Sequence, residues 1–153
     1  MQKIISGGQT GVDRAALDWA MERGISHGGW CPAGRKAEDG PIDRRYQLDE
    51  TDSSNYRIRT SKNVLDSDAT LILNAGALEG GTLETLRIAE REGRPVRIVQ
   101  VEDDSGIVDL RGWLERIRPG VLNIAGPRES KRPGIYFAAL AVLNKALVPP
   151  LWT

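Results

Sequence analysis

The sequence predicts an α/β fold, with an open, mostly parallel sheet and helices on both faces, as a single domain over residues 1–153. Three observations support this fold class. Apolar strand-like runs alternate with helical patterns, three of these runs end in loops of small residues, and a chain of 153 residues with 40% hydrophobic content suits one domain. Right-handed crossovers bring the strand-to-helix loops of such a sheet to its carboxyl edge.

The first elements are a strand, a helix and a second strand. Residues 4–5 predict a short buried strand that enters a glycine-rich loop. Apolar residues at helical spacing over 12–20 predict a helix that Gly24 ends, with Thr10 as its expected N-cap. Residues 28–32 predict a short strand broken by proline.

The middle of the chain begins with a segment of few apolar and many charged residues. We expect a long irregular loop over residues 33–62, of the kind that is either functional or mobile. The apolar run 69–73 predicts a buried strand, followed by a helix over residues 82–92 and a further strand over 96–101.

The last third of the chain predicts a short helix that ends before Pro119, a strand over 121–125 and a final helix with Pro133 in its first turn. The tail from Pro149 to Thr153 cannot continue that helix. One buried face of the final helix is expected to contain Phe137, Leu140, Ala141, Asn144 and Leu147.

Composition and charge exclude several classes of protein. Lys and Arg total 21, and Asp and Glu total 21, so the zero net charge argues against a polycationic nucleic-acid-binding or membrane-surface protein. A single cysteine, Cys31, and a single histidine, His27, exclude an intrachain disulfide and disfavour a zinc or multi-histidine centre. The sequence has no apolar stretch of about 20 residues and no signal-peptide pattern, so we expect a cytoplasmic protein without a membrane span.

Three glycine-containing loops should converge at the carboxyl edge of the sheet. They are residues 7–11, 76–82 and 126–130, and each follows an apolar strand and precedes a helix. Glycines allow close backbone approach, and the N–H groups of the helix N-termini favour an anion such as phosphate. A hydroxyl residue in each loop, together with Arg128, adds further donors.

No known catalytic motif explains these loops. The first loop is neither a P-loop nor a dinucleotide-binding fingerprint, and the sequence has no Ser-His-Asp arrangement and no assignable pair of acid and base carboxylates. We therefore assign no catalytic residue and no metal ligand. Asp13 is interpreted equally as a helix cap or as a group that orients Arg14 or accepts a ligand donor, and Glu84 as favoured by the helix dipole.

Other chemically distinctive side chains receive structural interpretations. His27 is expected in a solvated loop and Cys31 as a small buried thiol. Core positions are expected for Trp19, Trp113 and Phe137, whereas Trp30 and Tyr46 could stack on a planar heterocycle.

Five motifs in order carry a resemblance to a known family. They are Gly7–Arg14 (GGQTGVDR), Pro32–Gly40 (PAGRKAEDG), Arg59-Thr60 with Asn63-Val64, Gly80–Thr82 and Asn123–Ser130 (NIAGPRES). Over about residues 4–145 the chain resembles the molybdenum-carrier family, also described as circularly permuted YpsA-like proteins, of the Rossmann-like superfamily that contains the lysine-decarboxylase-like phosphoribohydrolases.

The resemblance implies a Rossmann-like fold and a carrier that binds molybdenum cofactor (molybdopterin), or a related phosphorylated heterocycle, as cargo. It further implies a homo-oligomer, a dimer or a tetramer, and a molybdoenzyme as recipient. The motifs and the converging loops together give the expected ligand-binding residues Gly7, Gly8, Gln9, Thr10, Gly11, Asp13, Arg14, Arg35, Arg59, Gly80, Gly81, Thr82, Arg128, Glu129 and Ser130. The Pro32–Gly40 loop is expected to fold over the mouth of this site.

Two other functions stay open at the sequence level. One is a nucleotide-binding phosphoribohydrolase-like hydrolase. The phosphoribohydrolases of the superfamily that the chain resembles have a P-G-G-x-G-T-x-x-E motif, and Glu79–Glu84 (EGGTLE) lacks its proline and its spacing. The other is a sensor of a nucleotide-derived signal. A nucleotide suits a basic, glycine-lined crevice as well as a pterin phosphate does.

Overall fold

Seven strands are present in the computed structural model, which describes residues 1–151. Their bounds are β1 Lys3–Ile5, β2 Ser26–Gly28, β3 Trp30–Cys31, β4 Asp49–Glu50, β5 Ala69–Asn74, β6 Val96–Gln100 and β7 Val121–Ala125. Five of them form one sheet in the order β2-β1-β7-β5-β6, and β3 and β4 form a separate pair. All neighbouring strands are parallel.

Five helices cover both faces of the main sheet. They are α1 Val12–Glu22, α2 Tyr56–Leu65, α3 Gly80–Arg91, α4 Asp104–Ile117 and α5 Ile135–Ala146. Helix α5 packs between α1 and α4 on one face, and α2 packs with α3 on the other. The predicted α/β fold with an open parallel sheet and helices on both faces is confirmed. No helix within residues 1–151 is both long and apolar enough to cross a membrane.

Strand β7 lies at the centre of the sheet although it is the last strand in the chain. It pairs with β1 on one side, where Asn123 lies beside Ile5, and with β5 on the other, where Asn123 lies beside Thr70. All six residues of β5 are buried. Such strands are nearly continuous apolar runs because both faces are covered, which is why sequence patterning locates them.

The prediction of an irregular loop over residues 33–62 is wrong for the last part of that segment, where α2 begins at Tyr56. Asn55 caps this helix by accepting a hydrogen bond from the Arg57 N–H at 3.0 Å. The buried side of α2 consists of Thr60, Asn63 and Val64. Because two of these three residues are polar, the apolar periodicity that identifies a helix is missing.

The earlier part of the same segment forms a strap, defined here as residues 32–48. It packs on α1 through a small core of Leu17, Cys31, Ala37, Ile42, Tyr46 and Leu48. The Tyr46 hydroxyl donates to Asp18 Oδ1 at 2.7 Å, which ties the strap to α1. Cys31 is fully buried, as predicted.

Several local predictions differ from the structure. Residue 11, not Thr10, is the N-cap of α1, and the Thr10 side chain bonds elsewhere. His27 lies in β2, not in a loop, and its Nε2 accepts the Gln47 N–H at 3.1 Å. Helix α4 is longer than predicted and begins after Asp103, whose side chain accepts the Ser105 N–H.

Of the predicted face of the last helix, only Leu147 is fully buried, and it lies just beyond the end of α5. Phe137 is 73% exposed, and the buried residues of α5 are Ile135, Ala139, Val142, Leu143 and Ala146. Nearly every position of this helix is apolar, so more than one face satisfies the helical period. Trp19 and Trp113 are core residues, as predicted. Helix α5 ends at Ala146, before Pro149, and residues 152–153 of the predicted tail lie outside the described part of the chain.

Two glycines permit close contact between the loops that leave β1 and β7. A Cβ at Gly126 would lie 2.2 Å from the Leu73 carbonyl oxygen and 2.5 Å from Val12 Cγ2. A Cβ at Gly11, whose φ is +79°, would lie 2.4 Å from the Pro127 carbonyl oxygen. Both distances are far below van der Waals contact, so any side chain here would push the loops apart.

The Gly126→Ala substitution should destabilise the protein by about 3 kcal/mol, because the added methyl group meets rigid backbone. The matched control is Gly112→Ala, in the interior of α4, where the nearest heavy atom would be Arg116 Nη1 at 3.4 Å. This control should stabilise the protein by about 0.5–1 kcal/mol. Urea unfolding followed by circular dichroism measures both values, and equal midpoints would refute the packing argument.

Candidate functional site

A cavity of about 570 Å³ opens at the carboxyl edge of the main sheet. This volume lies within the range of small-molecule sites. Its walls are the N-terminal parts of α2 and α3, the ends of β5 and β7, and the segment between β7 and α5. The lining residues are Gln9, Asp13, Asn55, Tyr56, Arg57, Arg59, Thr60, Asn74, Ala77, Glu79, Gly80, Gly81, Thr82, Glu84, Thr85, Arg87, Ala125, Gly126, Pro127, Arg128, Lys131 and Arg132.

Positive side chains dominate the lining. It has six cations, Arg57, Arg59, Arg87, Arg128, Lys131 and Arg132, and three carboxylates, Asp13, Glu79 and Glu84. Arg57 pairs with Glu84 at 3.0 Å, and Arg132 pairs with Glu79 at 3.2 Å. Within residues 1–151, no ion pair joins the other four cations to a carboxylate. The cavity therefore has an excess of positive charge in a chain whose net charge is zero.

Helix α2 supplies side chains that sequence reasoning largely missed. Tyr56, Arg57 and Thr60 line the cavity beside Arg59, the one residue of this helix that was predicted. The guanidinium groups of Arg59 and Arg128 lie 5.3 and 5.9 Å from the centre of the Tyr56 ring. The spacing of Arg57 and Arg59 gave no signal, because residues two apart on a helix do not share a face.

Arg59 reaches the floor of the cavity because Gly7 has no side chain. A Cβ at Gly7 would lie 2.7 Å from Arg59 Nε. The Arg59 Nη1 donates to Thr60 Oγ1 at 2.6 Å, whereas the buried Nε has no hydrogen-bond partner. The predicted Gly7 and Arg59 are thus brought together, with glycine making room for the guanidinium.

Asp13 is a buried carboxyl group beside this arginine. Its Oδ2 accepts the Gln9 N–H at 3.2 Å. Burial raises the pKa of Asp13 to about 6, although Arg59, the Gln9 N–H and Arg14 each act to lower it. Near neutral pH the site can therefore change its charge at this one position.

The N-terminus of α3 forms another wall of the cavity. Lys131 lies over it, since a Cβ at Gly80 would be 2.6 Å from the Lys131 Nζ. A Cβ at Gly81 would meet no atom within 4 Å, so space is open above this turn. The predicted residues Gly80, Gly81 and Thr82 lie together here, where the helix N-terminus and the ammonium group both favour an anion.

Thr10 and Ser130, two predicted hydroxyl donors, bind a carboxylate of the protein itself and do not line the cavity. Thr10 Oγ1 donates to Glu38, and Ser130 donates its N–H to Glu38 Oε1 at 3.2 Å and its hydroxyl to Oε2. Gln9 Oε1 accepts the Thr10 and Glu38 N–H groups. Burial acts to raise the pKa of Glu38, but the hydrogen bonds from Ser130 and Thr10 outweigh it and hold the pKa below its usual value. We call this set of contacts the latch.

The strap uses two more predicted arginines. Arg14 makes two hydrogen bonds to the Asp39 carboxylate, at 2.7 and 2.9 Å, and these bonds lower the pKa of Asp39. Arg35 donates to the backbone oxygens of Ile42, Asp43, Tyr46 and Leu48. Both guanidinium groups hold the strap in place and lie outside the cavity lining.

The remaining predicted residues have packing or capping contacts. Glu129 accepts the Gly134 and Tyr136 N–H groups at the start of α5. A Cβ at Gly8 would lie 2.6 Å from Leu48 Cδ1 of the strap. Of the fifteen predicted ligand-binding residues, Gln9, Asp13, Arg59, Gly80, Gly81, Thr82 and Arg128 line the cavity.

Asn74, at the end of β5, is a cavity residue that the sequence did not indicate. It is fully buried, its Nδ2 donates to the Gly76 carbonyl oxygen at 2.9 Å, and its Oδ1 has no hydrogen-bond partner. In the part of the chain that the structure describes, no group of three His, Cys, Asp or Glu side chains is arranged to hold a metal ion.

Comparisons with known proteins agree with this architecture. The model of the circularly permutated YpsA SLOG family matches residues 4–147. A crystal structure named "Putative molybdenum carrier protein", from Syntrophus aciditrophicus SB, is 47% identical to this chain, with a TM-score of 0.92. The match covers 97% of this chain and 96% of that one. No curated protein matches. These findings support a ligand-binding role, and the chain belongs to the circularly permutated YpsA SLOG family.

Proposed function

We propose that the protein binds an anionic phosphorylated heterocycle, with molybdenum cofactor as its cargo, and acts as a carrier or storage protein. The main observation behind this proposal is the excess of positive charge in the cavity, whose lining has six cations and three carboxylates. Low-dielectric walls concentrate the field of such a cluster on a bound anion. The name of the Syntrophus aciditrophicus protein supports the choice of cargo.

The cavity lining fits the chemical parts of this cargo. A molybdenum cofactor carries a phosphate, a planar polar pterin and an oxo-anionic metal centre. The α3 N-terminus with Lys131 suits the phosphate, and Arg128 beside the Tyr56 ring offers a flat cationic and aromatic surface to the pterin. Protein side chains would hold the organic and anionic parts of the cargo. An oligomeric assembly and delivery to a molybdoenzyme belong to the same proposal.

A phosphoribohydrolase-like activity is the second candidate, and one contact favours it. Glu84 lines the cavity two residues after the Gly80-Gly81-Thr82 turn and pairs with Arg57 at 3.0 Å. A carboxylate held beside a phosphate site could act on a ribosyl bond. A nucleotide-signal sensor would use the same cavity without turnover.

The carrier proposal predicts that protein purified without added ligand releases pterin and molybdenum on denaturation. Arg128→Ala should reduce the bound fraction about 10-fold or more, because a hydrogen bond to a charged group contributes about 1.5–3 kcal/mol. Arg116→Ala, which removes an exposed arginine of α4 outside the cavity, is the control and should retain the cargo. Native mass spectrometry with assays for molybdenum and oxidised pterin measures the loading. Equal loading of both variants would count against this cavity.

Anion affinity should depend on the charge of Asp13. Its pKa is raised to about 6, so the carboxyl group is neutral below that pH and negative above it. Sulfate, whose own charge is constant in this range, should bind about fivefold more weakly above pH 6, corresponding to ~1 kcal/mol of charge repulsion. Asp13→Asn, with Arg59 and Arg14 unchanged, should remove this dependence. Calorimetric titration of sulfate at pH values on both sides of 6 measures this dependence. If the sulfate affinity of Asp13→Asn still changes with pH, another group is responsible.

Hydrolase activity is tested by base release from a panel of nucleoside monophosphates. The carrier proposal predicts no release above the buffer rate by the wild-type protein. Release that disappears in Glu84→Gln, a variant that keeps the size of the side chain, would establish the hydrolase in its place. Chromatography of the free base is the readout.

A further inference from the structure

Two residues that line the cavity each have one buried polar atom without a hydrogen-bond partner. Among the buried side-chain nitrogen and oxygen atoms of residues 1–151, Arg59 Nε and Asn74 Oδ1 have no hydrogen-bond partner. Both residues line the cavity at the carboxyl edge. One atom is a donor and the other an acceptor, so a molecule with both an anionic and a donor group would complement the two residues. Buried polar groups without partners are rare and call for such an explanation.

The orientation of the Asn74 amide is set by its surroundings. The Gly76 carbonyl oxygen accepts Asn74 Nδ2 at 2.9 Å and Gln100 Nε2 at 3.1 Å. An amide turned the other way would bring Asn74 Oδ1 against that carbonyl oxygen and lose a hydrogen bond. The acceptor Oδ1 therefore stays the unpaired atom. Because Asn74 is fully buried, the amide cannot turn towards bulk solvent.

We propose that Asn74 selects the ligand by accepting a hydrogen bond from an O–H or N–H group, while Arg59 and its neighbouring cations bind the anionic group of the same molecule. The inference rests on the proposed anion site and deepens it. It names the ligand class as an organic phosphate with a neutral hydrogen-bond donor, such as a sugar hydroxyl or a ring N–H. A bare oxyanion, or a phosphate ester without such a donor, satisfies the arginine and leaves Asn74 Oδ1 unpaired.

A site with a buried acceptor discriminates strongly between ligands with and without a matching donor group. A ligand that lacks the donor leaves this buried acceptor without a hydrogen bond to the ligand, and its binding is weakened accordingly. We therefore expect a phosphate monoester with a correctly placed donor to bind at least about 10-fold more tightly than one without it. Replacement of Asn74 should remove this preference and leave the binding of the simple anion unchanged.

The experiment compares methyl phosphate with ribose 5-phosphate, guanosine 5′-monophosphate and a hydroxymethylpterin phosphate. All are titrated above the second phosphate pKa of about 6, where the phosphate itself carries no donor. In the wild-type protein, at least one of the last three should bind about 10-fold or more tightly than methyl phosphate. In Asn74→Leu this ratio should fall to within about twofold of one, with the affinity for methyl phosphate retained.

Two further variants distinguish a ligand-selecting role of Asn74 from a purely structural one. Gln100→Leu removes the other amide bonded to the Gly76 carbonyl oxygen, and Gln100 does not line the cavity, so the ratio should stay at its wild-type value. Asn74→Asp keeps an acceptor oxygen but places its second oxygen against the Gly76 carbonyl oxygen, so all the probes should bind more weakly while the ratio stays above one. For Asn74→Leu and Gln100→Leu, retained binding of methyl phosphate shows that the variant is folded at the site.

The other possible results contradict either the role of Asn74 or the anion site itself. If no donor-bearing probe exceeds methyl phosphate in the wild-type protein, or if Asn74→Leu keeps the ratio, the role of Asn74 is wrong and the anion site stands. If Asn74→Leu weakens all probes equally, Asn74 is only a structural residue. If the wild-type protein binds no probe, or if Arg128→Ala leaves methyl phosphate binding unchanged, the proposed function itself fails.

Discussion

The close approach of two backbone loops is the constraint on which the carboxyl edge of the sheet depends. Gly126 lies against the Leu73 carbonyl oxygen and Val12, and Gly11 lies against the Pro127 carbonyl oxygen. Because neither glycine has a side chain, the segment that follows β7 lies against the start of α1, and the Val12 N–H reaches the Pro127 oxygen at 3.3 Å. One wall of the cavity is thus set by main-chain contact, which is more rigid than a wall of long side chains.

The groups that were predicted to bind an anion fall into two sets. Thr10 and Ser130, which lie in the first and third glycine loops, hold the Glu38 carboxylate and so fasten the strap. Of the five guanidinium groups that line the cavity, those of Arg57 and Arg132 are paired with carboxylates. Within residues 1–151 those of Arg59, Arg87 and Arg128 are not. Equal numbers of acidic and basic residues in the whole chain conceal this separation. Local charge, and not net charge, is therefore the relevant quantity for a ligand.

The sheet and the position of the cavity could be predicted from the sequence, whereas the elements that supply most of its lining side chains could not. Strand β5 is an uninterrupted buried run, so its end marks the carboxyl edge unambiguously. Helix α2 was missed because its buried side is formed by Thr60, Asn63 and Val64, and its arginines were placed in a loop. Asn74 gave no signal, since one amide at a strand end is distinguished only by the bonds it fails to make. Glu38 shows a second limit of sequence reasoning. A loop that was predicted to bind phosphate binds the carboxylate of this residue of the same protein.

The central position of β7 has a consequence for synthesis of the chain. β1 pairs with β2, and β5 pairs with β6, but the two pairs are joined only by β7, which lies between them. On the ribosome, each half can form its own strand–helix–strand unit as it emerges, yet the apolar edge of β5 has no partner until residues 121–125 have left the exit tunnel. A nascent chain stalled before that point would expose an unpaired strand edge, the feature that most readily recruits a foreign strand. The sheet is therefore complete only when β7 closes the gap between the two strand pairs.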